Sequence, residues 1–485
     1  MRHRNGWMTR ALVPALACLM LAVVDAAATT RTVTKTADTD DGVCNADCSL
    51  REAIDVSASG DQVVFSALFN SPQTIALVFG GLTIFEGIDV VGPGADLLTI
   101  AGSAGTRGIT VWSNVGNVMV TLSGMTITGA GFTGIVNLGD VTVEDCVVAG
   151  NDESGITNLG DMVINNSTIT ENTGGWTGVA GGIVNHHTLT LTNSTVSNNG
   201  ADDTSSGAGG IFNDGFLTVV NSTISGNSKS GGTDNGGGIY HSGTTTITNS
   251  TITNNRATGA GSASGVFKEF FAGAVTVGST IIAANVNNAT KPDVVESSFG
   301  FSSDGFNLIG NVGTATGFTS LGDQVGSGAA PLDPLLDPLG DYGGSTQTHR
   351  LQVNSTAIDK GYSFGLTTDQ RGFTRPFDKS SVPNVTGGDG SDIGAYELQF
   401  SVTIVGRAFD PFYNPLRGGR VVVRLANGHR WFARTDRFGV YRVDHVPRNR
   451  TVTVSVTHRR YEFTPRVVRV KEQDITDLDF IALPR

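Results

Sequence analysis

The side chains best suited to chemistry in this sequence sit in Gly-, Ser- and Thr-rich stretches. They are Trp176 in GGWTG, the adjacent pair Asp202 and Asp203, and Asp234. An aromatic ring beside carboxylates is a usual composition for a ligand site: the ring stacks and the acids hydrogen-bond hydroxyls. The same oxygens would suit Ca²⁺, a hard cation that prefers oxygen ligands, although the sequence holds no DxDxDG-type loop. Asp202 and Asp203 could instead form a general acid/base pair. Neighbouring residues on a strand point to opposite faces, however, and carboxylates in such loops are more often solvated turn residues. His186, His187 and His241 are the remaining candidates. His186 and His187 lie at a turn with no carboxylate at ligand spacing, and His241 stands where sister segments carry Asn, so no metal ligands and no catalytic residues are assigned.

A repeat positions these residues. An 18-residue unit recurs five times, from Gly134, Gly155, Gly182, Gly210 and Gly238, with a looser copy from Gly265. Starts lie 21, 27, 28 and 28 residues apart, and self-similarity at such periods signals a solenoid. Within a unit such as GIVNHHTLTLTNSTVSNN, apolar and polar residues alternate with strand periodicity. Three short strands per unit describe one rung of a parallel β-helix, in which a given offset meets itself about 4.8 Å away in the next rung. Ile135, Ile156, Ile183, Ile211 and Ile239 should therefore stack inside. Asn166, Asn193, Asn221 and Asn249 form one Asn column, and Asn151, Asn172, Asn199, Asn227 and Asn255 another; both are expected to bond up and down as ladders. That reading also accounts for the Asn-Ser-Thr triplets, which are formal glycosylation sequons. Between units lie 3, 9, 10, 10 and 9 residues, and the longer insertions carry Trp176, Asp202, Asp203 and Asp234. Insertions at one place in every rung stack into a continuous face, commonly the binding face of a solenoid.

On these rungs the chain resembles the pectate-lyase-like superfamily of right-handed parallel β-helix proteins, over roughly residues 75–300. Fold follows from that resemblance; function does not. Upstream, Ser49-Leu50-Arg51-Glu52 reads as a capping box opening a short helix, and the stretch CSLREA resembles the CSLREA N-terminal domain of bacterial surface and secreted proteins. Cys44 and Cys48 are expected to form a disulfide, since an exported chain meets oxidising conditions, and a zinc site would lack a second pair of ligands. Cys146 falls in an inward column as a buried thiol. Downstream, FNLIGN, LDPLLDPLGDYGGSTQTHRLQVNSTAIDKG, TTDQRGFTRP and DIGAYE together resemble the choice-of-anchor Q domain, without an LPxTG-like motif. The run Thr435-Asp436-Arg437-Phe438-Gly439-Val440-Tyr441 resembles the carboxypeptidase-regulatory-like (transthyretin-like) domain, a β-sandwich.

Composition agrees. The chain has 485 residues with 65 Gly and only 16% charged residues, which favours many tight turns over a helical bundle. Its net charge of -12 divides as +2 over residues 1–28, -22 over 29–400 and +8 over 401–485. The acidic body argues against nucleic acid as a partner, and the basic end could dock on that body or on an anionic polymer outside the cell. Arg2, Arg4 and Arg10, an apolar run and Ala26-Ala27-Ala28 make a secretory signal. No later run is long enough to span a membrane. The expectation is an exported all-β chain: signal peptide 1–28, CSLREA cap 29–75 with its helix, right-handed single-stranded parallel β-helix 76–290, choice-of-anchor Q region 291–400 closing it, and C-terminal β-sandwich 401–485. Its expected role is adhesion to, or binding of, an extracellular glycan or cell-surface polymer without catalysis. A polysaccharide lyase or hydrolase working on the long-loop face is the alternative.

Overall fold

Each copy of the repeat makes one turn of a solenoid. The computed structural model describes residues 28–485 apart from 114–117, 175–178, 203, 286–291, 298, 380, 400, 427, 448–449, 472–473 and 485; all but the last residue of the expected signal peptide thus lies outside the described residues. In the turn beginning at Gly182, strands Ile183–Asn185, Thr188–Thr192 and Thr195–Ser197 follow one another round tight corners. Each pairs in parallel with its counterparts one turn either side, so that Ile183 meets Ile156 and Ile211, and Leu189 meets Met162 and Leu217. The sheets containing Thr188–Thr192, Thr195–Ser197 and Ile183–Asn185 are here faces 1, 2 and 3, of eleven, eleven and nine strands. The chain is all-β, a parallel β-helix followed by antiparallel sheets, and its helices are limited to Leu50–Asp55 and one 3₁₀ turn among the described residues.

Inward columns are apolar and sealed. Ile135, Ile156, Ile183, Ile211 and Ile239 stack as expected and are all fully buried. Truncating one such Ile to Ala removes about 2–5 kcal/mol. Corners have no sheet partner, so polar side chains complete them. Asn151, Asn172, Asn199, Asn227, Asn255 and Asn285 form a continuous ladder, each Nδ2 donating to the next Oδ1 at 2.8–2.9 Å. Asp293 terminates it, accepting from Nδ2 and the backbone N–H of Asn285. A second inward ladder runs Asn137, Asn158, Asn185 and Asn213, with links of 2.6–2.7 Å. His241 and Lys268 continue its register, and Thr245 Oγ1 joins Asn213 to His241.

The other expected Asn ladder is absent. Asn166, Asn193, Asn221 and Asn249 have φ between 47° and 50° and serve as left-handed corner residues. Asn tolerates that conformation better than other residues with a Cβ. The next residue of each triplet does the laddering: the N–H of Ser167, Ser194 and Ser222 donates to the Oγ of the Ser one turn on, at 3.1–3.2 Å. Cys146 heads this column, its N–H donating to Ser167 Oγ, and its thiol is buried.

The stack begins at Thr30–Val33, which pairs with Gln62–Phe65. The first turn therefore lies inside the segment read as a cap. Helix Leu50–Asp55 covers the end with Leu50, Ala53 and Ile54 buried, and its capping box is complete: Ser49 Oγ accepts from Glu52 N–H at 3.0 Å, and Glu52 Oε2 from Ser49 N–H at 2.7 Å. Cys44 and Cys48 form the expected disulfide.

At the far end Phe301 and Phe318 lie ring against ring over the last turns. The chain then does more than close the stack, because residues 346–395 run back along the outside of face 2. The hydroxyls on that face hold them. Thr195 Oγ1 donates to the Gln347 carbonyl, Thr223 Oγ1 donates to Gln370 Oε1, Ser225 bonds His349 Nε2, and Thr251 Oγ1 accepts from Ala395 N–H. Residues 401–485 form a three-stranded and a four-stranded sheet around a separate core that includes Val421, Val423, Tyr441 and Val454. Phe373 of the returning segment joins that core.

Candidate functional site

The long insertions stack. Thr173–Gly174, Gly200–Ala201, Ser228–Lys229 and Arg256–Ala257 make a four-stranded parallel sheet, prolonged by bridges between Ala180, Ala208, Gly236 and Ala263. This loop wall folds over the outside of face 3, where the outward column reads Val184, Phe212, Tyr240, Phe267. Ala180, Ala208 and Ala263 pack on these rings. Phe212 stacks on Tyr240 at 5.2 Å and Tyr240 on Phe267 at 5.3 Å. The ring faces are turned toward each other, and Tyr240 and Phe267 are buried. Only Phe212 keeps part of its surface open, with the His186 ring edge-on at 6.1 Å.

Two residues beyond that column, at the corner between faces 3 and 1, each turn presents one variable side chain: Leu159, His186, Asp214, Ser242 and Glu269. Backbone bonds set their register, since the N–H of each donates to the carbonyl of the preceding turn at 2.8–3.0 Å. They therefore form a polar strip along the solenoid axis, one group about every 4.8 Å. His186 Nδ1 lies 2.9 Å from both carboxylate oxygens of Asp214, and His187 Nδ1 lies 3.0 Å from Asp161 Oδ1. The absence of a carboxylate near these histidines holds only along the chain; stacking supplies one from the next turn to His186 and from the preceding turn to His187. Glu269 hydrogen-bonds the Tyr240 phenol. Burial, then Glu269, then Asp234 push that phenol well above its ordinary pKa.

Of the residues singled out for binding, Asp234 approaches this site. It is exposed at φ 55°, beside Gly261, where a Cβ would strike its carboxylate. Asp202 is exposed in the neighbouring loop. Trp176 and Asp203 lie outside the described residues. No three His, Cys, Asp or Glu side chains converge to hold a metal ion among the described residues. His241 is enclosed in the inner ladder, with Nδ1 on Thr245 Oγ1 at 2.8 Å. Burial and the Lys268 ammonium bring its pKa down to about 4, so it is a neutral structural imidazole at pH 7. Asp214, Ser242 and Glu269 escaped the sequence reading. Their signal was an offset that varies freely, Leu-Leu-His-Asp-Ser, in a unit whose interior offsets recur.

No helix among the described residues is long and apolar enough to cross a membrane. No curated protein matches the chain. Among solved structures, one titled "Crystal structure of pectate lyase Pel9A" aligns with a TM-score of 0.41 and 16% identity, over 76% of this chain and 96% of that one. Residues 106–288 match the family model described as "Right handed beta helix region", which fits the solenoid seen here.

Proposed function

We propose that the protein is exported and binds an extended glycan without turning it over, using the strip His186–Asp214–Ser242–Glu269 and the loop wall beside it. One observation carries the reading: hydrogen-bonding side chains recur once per turn in a straight line, next to the open part of the Phe212 ring. A linear polymer of sugars offers hydroxyls at regular intervals and an apolar ring face, and a repeating row of donors and acceptors matches it. Catalysis asks for the opposite arrangement, several groups converging on one bond. Here the polar groups are spread along the axis and pair with each other, as His186 does with Asp214. Asp202 and Asp234 on the wall, with Trp176 and Asp203 of the same loops, are proposed to line the opposite bank, and Ca²⁺ is a candidate bridge to their carboxylates. Export is supported by the signal-like residues 1–28 and by the Cys44–Cys48 disulfide, a linkage that persists in oxidising compartments. The flanking segments are proposed to be the CSLREA, choice-of-anchor Q and carboxypeptidase-regulatory-like modules that they resemble. The test is a glycan array read with the full chain and with an Asp214→Ala/Glu269→Ala double variant, beside a turnover screen on polyuronates and neutral glycans with and without Ca²⁺. Binding weakened roughly tenfold in the variant, with no turnover, is the expected result. Clear turnover, or binding untouched by the variant, overturns it.

A further inference from the structure

A second site lies away from this strip, where the returning segment meets the β-sandwich. The two enclose a cavity of about 870 Å³, within the roughly 300–1,000 Å³ typical of small-ligand sites. Tyr342, Arg371 and Tyr396 line one wall, and His429, Arg430 and Trp431 of the sandwich line the other.

The first wall is built rigidly. Arg371 is buried, with Nε and Nη2 on Asp369 Oδ2 at 2.9 and 2.6 Å, Nη2 also on the Glu397 carbonyl at 2.7 Å, and Nη1 on the Tyr342 carbonyl at 3.1 Å. Its guanidinium lies 3.5 Å from the Tyr396 ring centre and 4.4 Å from that of Phe373. The loop that brings Tyr342 close depends on Gly343, at φ 100°, where a Cβ would sit 3.2 Å from His429 Cε1 and 3.3 Å from Phe373 Cζ.

Charge balance identifies the ligand class. Arg371 is neutralised by Asp369, and Arg350 by Asp337 at 2.6 Å. At the rim, Arg430 and Asp341 contribute one charge of each sign, and both are exposed. His429 adds none, because burial and Arg371 hold its pKa below the ordinary value. No net charge is left to select an anion, and the cation position over Tyr396 is already filled by Arg371. What the cavity offers is aromatic surface at half-buried Trp431, together with groups of both hydrogen-bonding senses: Asp341 accepts, and the amide of Gln352 donates and accepts. Sugar rings make that combined demand, having an apolar face and hydroxyls that donate and accept.

We propose that this junction is a binding site for a neutral saccharide of one or two rings, stacked on Trp431 and hydrogen-bonded by Gln352 and Asp341. It rests on none of the residues of the solenoid strip, so either site can fail alone. The full chain is titrated calorimetrically with cellobiose, lactose, maltose and chitobiose, and with digalacturonate as the charged control. Saturable binding of at least one neutral disaccharide is expected. Trp431→Ala and Gln352→Ala should each weaken it roughly tenfold, and Asp214→Ala/Glu269→Ala should leave it unchanged. Gln352 is exposed, so its variant decides the matter if the Trp431 variant does not fold. Failure of every neutral disaccharide to bind at millimolar concentration overturns the proposal. A preference for digalacturonate, or binding indifferent to both junction variants, does so equally.

Discussion

Two Asn columns of the same repeat carry the same residue for different physical reasons, and substitution separates them. Asn199 is buried in the middle of the ladder. Its Oδ1 accepts the N–H of Asn172 at 3.0 Å and Asn172 Nδ2 at 2.9 Å, while its Nδ2 donates to Asn227 Oδ1 at 2.9 Å and the Ile169 carbonyl at 3.0 Å. In Asn199→Ala, Asn172 Nδ2 keeps the Val148 and Thr170 carbonyls, and Asn227 Oδ1 keeps the backbone N–H of residue 199. What is stranded is the buried N–H of Asn172, and the Ile169 carbonyl loses one donor. An orphaned buried donor costs about 1–3 kcal/mol and a lost hydrogen bond about 1 kcal/mol, so the expected penalty is about 3 kcal/mol. Asn166 presents the opposite case: it sits at φ 48°, a conformation glycine adopts freely, so Asn166→Gly should cost only a few tenths of a kcal/mol. The assay is urea unfolding of the full chain followed by far-ultraviolet circular dichroism. With a slope of about 3 kcal/mol per molar, the first variant moves the midpoint down by about 1 M and the second hardly at all. Equal shifts would refute the distinction between ladder and corner.

Two further outcomes follow from buried titrating groups. His241 has a folded-state pKa of about 4 against an ordinary 6.5. The folded state therefore resists its protonation, and the stability it contributes is present above pH 6.5 and lost as pH falls toward 4, by about 3 kcal/mol. His241→Asn restores the residue its column carries elsewhere and should flatten the melting temperature between pH 7 and 4; a variant as acid-sensitive as the parent would contradict this. Burial pushes the Cys146 thiol up to about 12, so a thiol reagent at pH 8 should label it only after denaturation. Cys146→Ser, which supplies the hydroxyl that the column carries from Ser167 onward, should shift the urea midpoint very little, and ready labelling of the native chain would show the site to be open.

What the sequence revealed, and what it hid, divides along one physical line. Parallel stacking places the same offset over itself in every turn, so any residue the interior requires must recur at the repeat spacing. The Ile column, the loop wall and the Asn ladder from Asn151 to Asn255 were legible for that reason. Recurrence does not say which constraint is being met, however. Asn199 and Asn166 recur alike, and only the backbone angle separates a ladder amide from a corner residue. The partnership of His186 with Asp214 was hidden differently: 28 residues separate them along the chain, yet they occupy one offset in adjacent turns. Reading each motif along the chain, rather than down the column, missed it. The candidate strip consists of the offsets the fold leaves unconstrained, and these vary because nothing in the interior selects them. The returning segment had no such signal. Residues 346–395 meet face 2 through isolated bonds to Thr195, Thr223, Ser225 and Thr251, whose hydroxyls look like ordinary strand positions until something covers them. The junction cavity is a step further removed, since it exists only once that segment and the sandwich have each folded and met at Phe373. Periodicity thus exposes what each turn needs from its neighbours, whereas specificity in this protein is written where the repeat is free to vary or has ended.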